Sequence, residues 1–230
     1  INDIKVSDKG EVWIATDAGL CVYRDGKWEH FFKYNICSVK SFLCVEIDNL
    51  QNIWVGTADY GLFLLKGDEF TNFSGERYLP ASKVNSIFCD SQNRIWIATD
   101  YGISLFAENK WEIYFPYQSG FVDRYAREIC ETKDREIWVA MGCLGGINVF
   151  KDEKWYNIRE EKGLPITDIT TICVDSENRK WVGTNGAGIV VFSDAGVDYI
   201  QDILPSKVIR CSLVDTEDGK WFGTENGLVY

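Results

Sequence analysis

Short runs of apolar residues alternating with polar ones, each closed by a cluster of Gly, Asn, Asp or Ser, follow one another along the whole chain. Val84–Asn85–Ser86–Ile87–Phe88–Cys89 is one such run. Asp90–Ser91–Gln92–Asn93–Arg94 is the polar turn behind it, and Ile95–Trp96–Ile97–Ala98–Thr99 is the next run. A period of two, rich in β-branched and aromatic residues and interrupted by turn signals about every 8–12 positions, predicts an all-β chain.

The pattern also repeats at longer range. Val12–Trp13–Ile14–Ala15–Thr16 returns around Trp54, Trp96, Trp138, Trp181 and Trp221, at spacings of 41, 42, 42, 43 and 40 residues. Each unit reads as four short strands. The marker tryptophan sits on the second, a Gly turn precedes the apolar third (Gly19, Gly61, Gly102, Gly145/Gly146, Gly188, Gly227), and Trp28, Phe70, Trp111 or Trp155 opens the fourth. Four-stranded units at this period predict a β-propeller of six blades, at about 1–33, 36–73, 79–115, 122–158, 166–200 and 206–230. The last blade lacks its outer strand. Either it stays three-stranded, or a flanking segment completes it. A lone twisted sheet cannot bury both faces, so the tryptophans are expected to fill the wedges between neighbouring blades.

Composition narrows the function. A net charge of −11 on 230 residues, without a basic stripe, argues against nucleic acid and anionic membranes as partners. No apolar run is long enough for a membrane span, and no signal peptide is visible. The chain starts at Ile1 and not at Met, which leads us to expect a processed protein or a domain of a longer one with flanking domains. Eight cysteines include no Cys-x-x-Cys pair and no zinc spacing. Cys44, Cys89, Cys130, Cys173 and Cys211 recur in one region of successive repeats and are expected to be buried thiols. No metal or other cofactor is expected.

The repeats resemble the two-component regulator propeller repeat of ligand-binding sensor domains in bacterial hybrid histidine kinases. Gly163–Leu164–Pro165 through Ile169, Ile172, Asp175, Trp181, Gly183 and Thr184 follow its pattern, as do Leu79–Pro80 through Val84, Ile87, Asp90, Trp96 and Thr99. Met141–Gly142–Cys143 departs from it. The resemblance implies a non-catalytic, extracytoplasmic sensor of a small molecule or glycan, with signalling done elsewhere. Streptogramin lyases resemble these repeats too, and their chemistry is expected to need a histidine. Here the one histidine, His30, lies in an outer strand, which excludes a histidine-based triad or three-histidine metal site.

Candidate binding residues gather where the turns between second and third strands meet the blade-to-blade connections, around the mouth of a propeller channel. The turns carry Asp59–Tyr60 and Asp100–Tyr101. The connections add Tyr34, Arg77, Tyr78, Tyr117, Phe121, Arg124 and Tyr125, with 115–125 a candidate lid. Arg127 and Arg210, each eleven residues before a marker tryptophan, could hold an anionic group. Aromatic and charged side chains together suit a glycan, small-molecule or peptide ligand. The competing readings are a solvated turn surface on a protein-interaction scaffold, and a hydrolase or lyase using paired carboxylates such as Asp59 with Asp100 or Glu128. The turns Asp90–x–x–Asn93, Asp175–x–x–Asn178 and Asp215–x–x–Asp218 read as structural β-turns. The glycine-rich Gly183–Thr184–Asn185–Gly186–Ala187–Gly188 lies in a turn between strands and is no phosphate loop.

Overall fold

The computed structural model describes residues 1–30, 41–67, 69–118, 120–143, 145–159 and 162–230. Tyr34 lies outside them. The chain divides into two compact units, Ile1–Tyr114 and Phe115–Tyr230, each with three sheets. The first unit holds β1 (Asp3–Val6), β2 (Val12–Thr16), β3 (Gly19–Arg24) and β4 (Lys27–His30), then β5 (Phe42–Ile47), β6 (Ile53–Thr57), β7 (Leu62–Lys66) and β8 (Glu69–Phe73). Its third sheet is β9 (Val84–Cys89), β10 (Ile95–Thr99), β11 (Gly102–Ala107) and β12 (Lys110–Tyr114). The second unit holds β13 (Ala126–Glu131), β14 (Ile137–Met141), β15 (Ile147–Lys151) and β16 (Lys154–Ile158), then β17 (Ile169–Val174), β18 (Lys180–Thr184), β19 (Ile189–Ser193) and β20 (Gly196–Ile200). Its last sheet has three strands, β21 (Ile209–Val214), β22 (Lys220–Thr224) and β23 (Gly227–Val229). Every sheet is an antiparallel meander in sequence order, and the six are the blades of a β-propeller.

The turn before the marker strand is the same small device in each unit. In Asp48–Asn52 the Gln51 N–H donates to the Asp48 carbonyl, the Asp48 N–H donates to the Asn52 carbonyl, and Gln51 has a φ of 62°. That is a type I turn followed by a left-handed residue, which suits a three-residue hairpin loop. Asn93, Asn178 and Asp218 hold the same conformation, which Asn and Asp tolerate better than other side chains. The aspartate at the head of the turn then organises everything around it. Asp90, wholly buried, accepts the indole N–H of Trp96 at 2.9 Å, the Arg94 Nε–H at 2.6 Å, and the backbone N–H of Gln92 and Arg94. Asp48, Asp175 and Asp215 bind Trp54, Trp181 and Trp221 at 3.0, 2.9 and 2.7 Å. Where the head residue is Ser7 or Thr132, a glutamate two residues before the tryptophan does this instead. Glu11 takes the Trp13 N–H at 3.4 Å and Glu136 that of Trp138 at 3.0 Å.

The turn also reaches the neighbouring blade. The side-chain oxygen of the left-handed residue accepts a backbone N–H from the preceding blade's turn: Asn49 to Asn93 at 3.0 Å, Lys133 to Asn178 at 2.9 Å, Ser176 to Asp218 at 2.7 Å. The sequence reading of a structural turn holds, and the turns are inter-blade clasps as well. The fixed indoles fill the wedges as expected. Trp54 packs on Phe106, Trp138 on Phe192 and Trp181 on Phe222, at centroid distances of 5.5, 5.9 and 5.8 Å. Innermost strands are linked directly: Asp3 accepts the Val45 N–H, and Lys5 pairs with Glu46 at 2.9 Å.

Of the recurrent cysteines, Cys44 and Cys130 are buried, Cys89 and Cys173 half-buried, and Cys211 exposed. Burial was expected for all five. Cys211 fails because it lies on the last blade, on a face that also leaves Leu213 and Leu228 exposed. All seven described cysteines are free thiols.

Replacing Asp90 by Ala strands a buried indole N–H and the Arg94 charge. It should cost about 3 kcal/mol in urea denaturation, whereas Asp202→Ala on the surface should cost little. Acid should act on the same turns. At Asp175 burial pushes the carboxyl up, but the bonds from Trp181, Arg179 and the backbone together outweigh it and hold it below the usual range. At Asp215 the Trp221 and Gly219 N–H groups hold it low. Groups with depressed folded values contribute stability above their unfolded value of roughly pH 4 and lose it as pH falls through the folded value. Tryptophan fluorescence should therefore report unfolding on acidification below about pH 4, with a shallower pH slope in Asp175→Asn.

Candidate functional site

At the opposite end of the blades the repeats stop resembling one another. In five blades the first strand carries a β-bulge just after its start, seen as a register shift at Phe42/Cys44, Ala98/Thr99, Ala126/Glu128, Ile169/Thr171 and Ile209/Cys211. The residue set outside the ladder is Leu43, Asn85, Arg127, Thr170 or Arg210, always eleven before the marker tryptophan. A bulge re-aims a side chain without ending the strand. Its neighbour lies fifteen residues later, at the head of the turn between second and third strands. Asn85 donates to Asp100 at 2.9 Å, and Arg210 pairs with Glu225 at 2.5 Å. Asn2 donates to Asp17 at 2.9 Å from the same position in the first blade, which has no bulge.

In residues 115–230 this end presents Arg127, Thr170 and Arg210 on the adjacent first strands of three consecutive blades. The Arg127 guanidinium lies against Gly142, where an added Cβ would fall 2.7 Å from Nε, and approaches Asp168 only to 4.0 Å. Among the described residues the buried Thr170 hydroxyl has no hydrogen-bond partner. Arg124 stacks over the Tyr125 ring at 4.7 Å in the connection leading to β13. Asp168, Thr170 and Glu225 were not singled out from sequence. The repeated offset of fifteen residues between an amide or guanidinium and a carboxylate was the signal available.

In residues 1–114, Asp59, Tyr60 and Tyr101 are exposed on the turns, and Asp100 is engaged by Asn85 and by Lys83 at 3.5 Å. Arg77 stacks on Tyr78 at 5.5 Å. Tyr78 itself belongs to an aromatic cluster with Phe73 and Trp111 and is a packing residue. The expected lid is largely pinned. Phe121 is wholly buried against Trp155, and Val122 exchanges two hydrogen bonds with the Asn148 side chain, so Tyr117 alone of its aromatic candidates stands exposed at the tip. Phe121 faces inward because the Trp155 ring leaves an apolar face open beside it.

Of the carboxylates proposed for catalysis, Asp100 and Glu128 are otherwise employed. Glu128 accepts the Ile172 N–H of the next blade at 3.0 Å. His30 is exposed on β4, with Nδ1 3.0 Å from the Cys21 sulfur. Among the described residues no group of His, Cys, Asp and Glu could hold a metal ion, and no helix is long and apolar enough to cross a membrane.

Residues 78–101 match the profile of the two component regulator propeller. The other repeats are built on the same tryptophan-centred pattern. No curated protein matches the chain. Among solved structures, it is similar to two proteins described as extracellular domains of hybrid two-component systems from B. thetaiotaomicron. One is 20% identical with a TM-score of 0.81, covering 99% of this chain and 32% of that one. The other is 27% identical with a TM-score of 0.52, covering 96% and 30%. This chain thus spans about a third of the length of those two chains. A catalytically inactive virginiamycin B lyase from Staphylococcus aureus, with one histidine changed to alanine and with quinupristin, is 17% identical with a TM-score of 0.79, covering 99% and 82%.

The thiols give a check on the packing of the blades. Burial raises Cys44 and Cys130 well above the ordinary thiol value and Cys89 and Cys173 to about 11. A thiolate reagent at pH 8 should modify the exposed Cys143 and Cys211 first and reach Cys44 and Cys130 only on unfolding, as peptide mapping would show.

Proposed function

We propose that this chain is a non-catalytic, ligand-binding propeller of a two-component signalling protein, displayed outside the cytoplasm. The ligand is a small molecule or glycan bearing an anionic group. The observation that carries this reading is the bulged position. Packing residues are the same type in every repeat, whereas the bulge residue changes from Leu43 to Asn85, Arg127, Thr170 and Arg210. A scaffold that keeps its packing and varies one re-aimed side chain per blade has the form of a recognition surface. Arg127, with Thr170 and Arg210 beside it and Tyr125 in the adjoining connection, is the proposed anchor in residues 115–230, because a planar guanidinium suits a carboxylate or phosphate. Asp59, Tyr60, Asp100, Tyr101 and Arg77 form a second, acidic and aromatic group in residues 1–114. The likeness to extracellular domains of hybrid two-component systems supports a signalling role and an extracytoplasmic location.

Screening neutral and uronic-acid oligosaccharides by thermal shift should find ligands that raise Tm. Arg127→Ala should weaken an anionic ligand by about tenfold or more, the worth of one charge-assisted contact. Ligands that bind equally well to Arg127→Ala and Arg210→Ala would remove this site from consideration.

The likeness to virginiamycin B lyase favours a second reading, a lyase acting on a compound such as quinupristin. The single histidine argues against it, since His30 is on an outermost strand and in contact with Cys21. Incubation with quinupristin, followed by mass spectrometry, should leave the substrate intact. Conversion of the compound would establish the lyase reading in place of the sensor.

A further inference from the structure

In three blades the residue eleven before the marker tryptophan is matched by a carboxylate of its own blade, at the head of the turn after the second strand. Asn2 donates to Asp17 and Asn85 to Asp100, each at 2.9 Å, and Arg210 pairs with Glu225 at 2.5 Å. Arg127 meets Gly142 instead. A Cβ built on Gly142 would lie 2.7 Å from Nε, 3.2 Å from Nη2 and 3.3 Å from Cζ. The guanidinium thus rests on bare backbone, where those three blades carry Asp or Glu. Its ion pair with Asp168 is 4.0 Å long, beyond hydrogen-bond reach, and 47% of the Arg127 side chain is exposed.

The turn between β14 and β15 has a second glycine with no room for a side chain. A Cβ on Gly145 would fall 2.7 Å from the Asp123 Cβ and 2.8 Å from its Oδ2. The other oxygen of Asp123, Oδ1, accepts the Arg124 N–H at 2.5 Å. A guanidinium from β13 and a carboxylate from the connection before it therefore both rest on this one turn. That accounts for the departure of Met141–Gly142–Cys143 from the repeat pattern, since a side chain at either glycine would displace one of them. The arrangement also limits the charge of a guest. Asp123 shares the turn and Asp168 stands at 4.0 Å, so repulsion grows with each negative charge the guest brings. A singly charged, planar carboxylate matches the guanidinium fork, and a phosphate near −2 is disfavoured.

We propose that Gly142 is the specificity-determining position of this surface, and that the anionic group recognised there is a monocarboxylate. Gly142 leaves Arg127 without the in-blade carboxylate that Arg210 has in Glu225, and the carboxylate of the ligand takes that role. Arg127 is the residue that touches the ligand. Gly142 acts through it, by withholding a competing side chain. The inference rests on the reading of Arg127 as the anchor and narrows the class of group it accepts. A sugar acid and a peptide terminus both carry such a group.

The test follows the Arg127 Nε–H signal of the 230-residue protein by proton–nitrogen NMR, near neutral pH and at constant ionic strength. The signal is assigned by its loss in Arg127→Ala. The probes are D-glucuronate for the sugar acid and N-acetylalanine for the peptide terminus. At least one should shift the signal saturably at up to about 100 mM, the range of a single charge-assisted contact. Glucose should leave it in place, and inorganic phosphate should bind more weakly than the carboxylate. Gly142→Asp supplies the partner from within and should weaken the carboxylate about tenfold or more. Gly142→Asn, of the same size and uncharged, should weaken it much less, with both variants folded by circular dichroism. No saturable shift with either carboxylate would overturn the proposal, as would tighter binding of phosphate or equal losses in the Asp and Asn variants. A ligand from the oligosaccharide screen that binds Gly142→Asp undiminished would keep the sensor reading and overturn this assignment. A carboxylate that titrates Arg127 when the screen finds no ligand would support the assignment and count against the sensor.

Discussion

An indole N–H held by a carboxylate is the contact on which the rest of each blade depends. The marker tryptophan recurs in every repeat and must fit between two sheets. Left to rotate, it would fill the wedge in several ways. The carboxylate fixes its edge, and the same carboxylate gathers the backbone N–H groups of the turn, so strand pairing and wedge packing are set by one group. The exchange between Asp at the head of the turn and Glu beside the tryptophan shows which part of the device is required. In the Ser7 and Thr132 turns the carboxylate moves to Glu11 and Glu136, and the indole is still bound. Charge at that spot is kept while the residue that brings it changes.

The two ends of a blade therefore carry different loads. One end is clasped, buried and nearly identical from repeat to repeat. The other is bulged in five of the blades and varies in the side chain it presents. The separation follows from the antiparallel meander, which places the turn after the first strand and the turn after the second at opposite ends. Stability is concentrated at one, and the second is left free to vary. Arg127 can occupy a bulge because nothing in the ladder needs its side chain, and Glu128, one residue on, cannot be spared because it holds the next strand.

That contrast marks where sequence reading succeeds and where it stops. The tryptophan spacing, the alternating runs and the turn residues are local signals, and each strand they predict is present in the described residues, down to the three-stranded last blade. The arginines before Trp138 and Trp221 were recognisable as equivalent by counting. The bulges that aim them were not, because a bulge is a property of register between two strands and leaves no mark on either alone. Glu128 looked available for chemistry because its acceptor role is toward Ile172, 44 residues later. Phe121 and Tyr117 are both aromatics in one connection, and only the open face of Trp155 decides which turns inward. Cys211 shares the pattern of Cys44, yet its surroundings depend on the last blade's outward face.

The left-handed residue of each turn, described above as a clasp, bears on how the molecule comes apart. Asn93, Asn178 and Asp218 each join a turn of their own blade to the backbone of the one before. A repeat array is governed by the balance between the stability of single repeats and the coupling of nearest neighbours. Here the coupling is made by a residue whose geometry exists only when its own turn is formed, so loss of one blade releases its neighbour's turn at once. Within each unit the blades should melt as a block, with partly unfolded forms scarcely populated, because a clasp cannot outlive either of the turns that it joins.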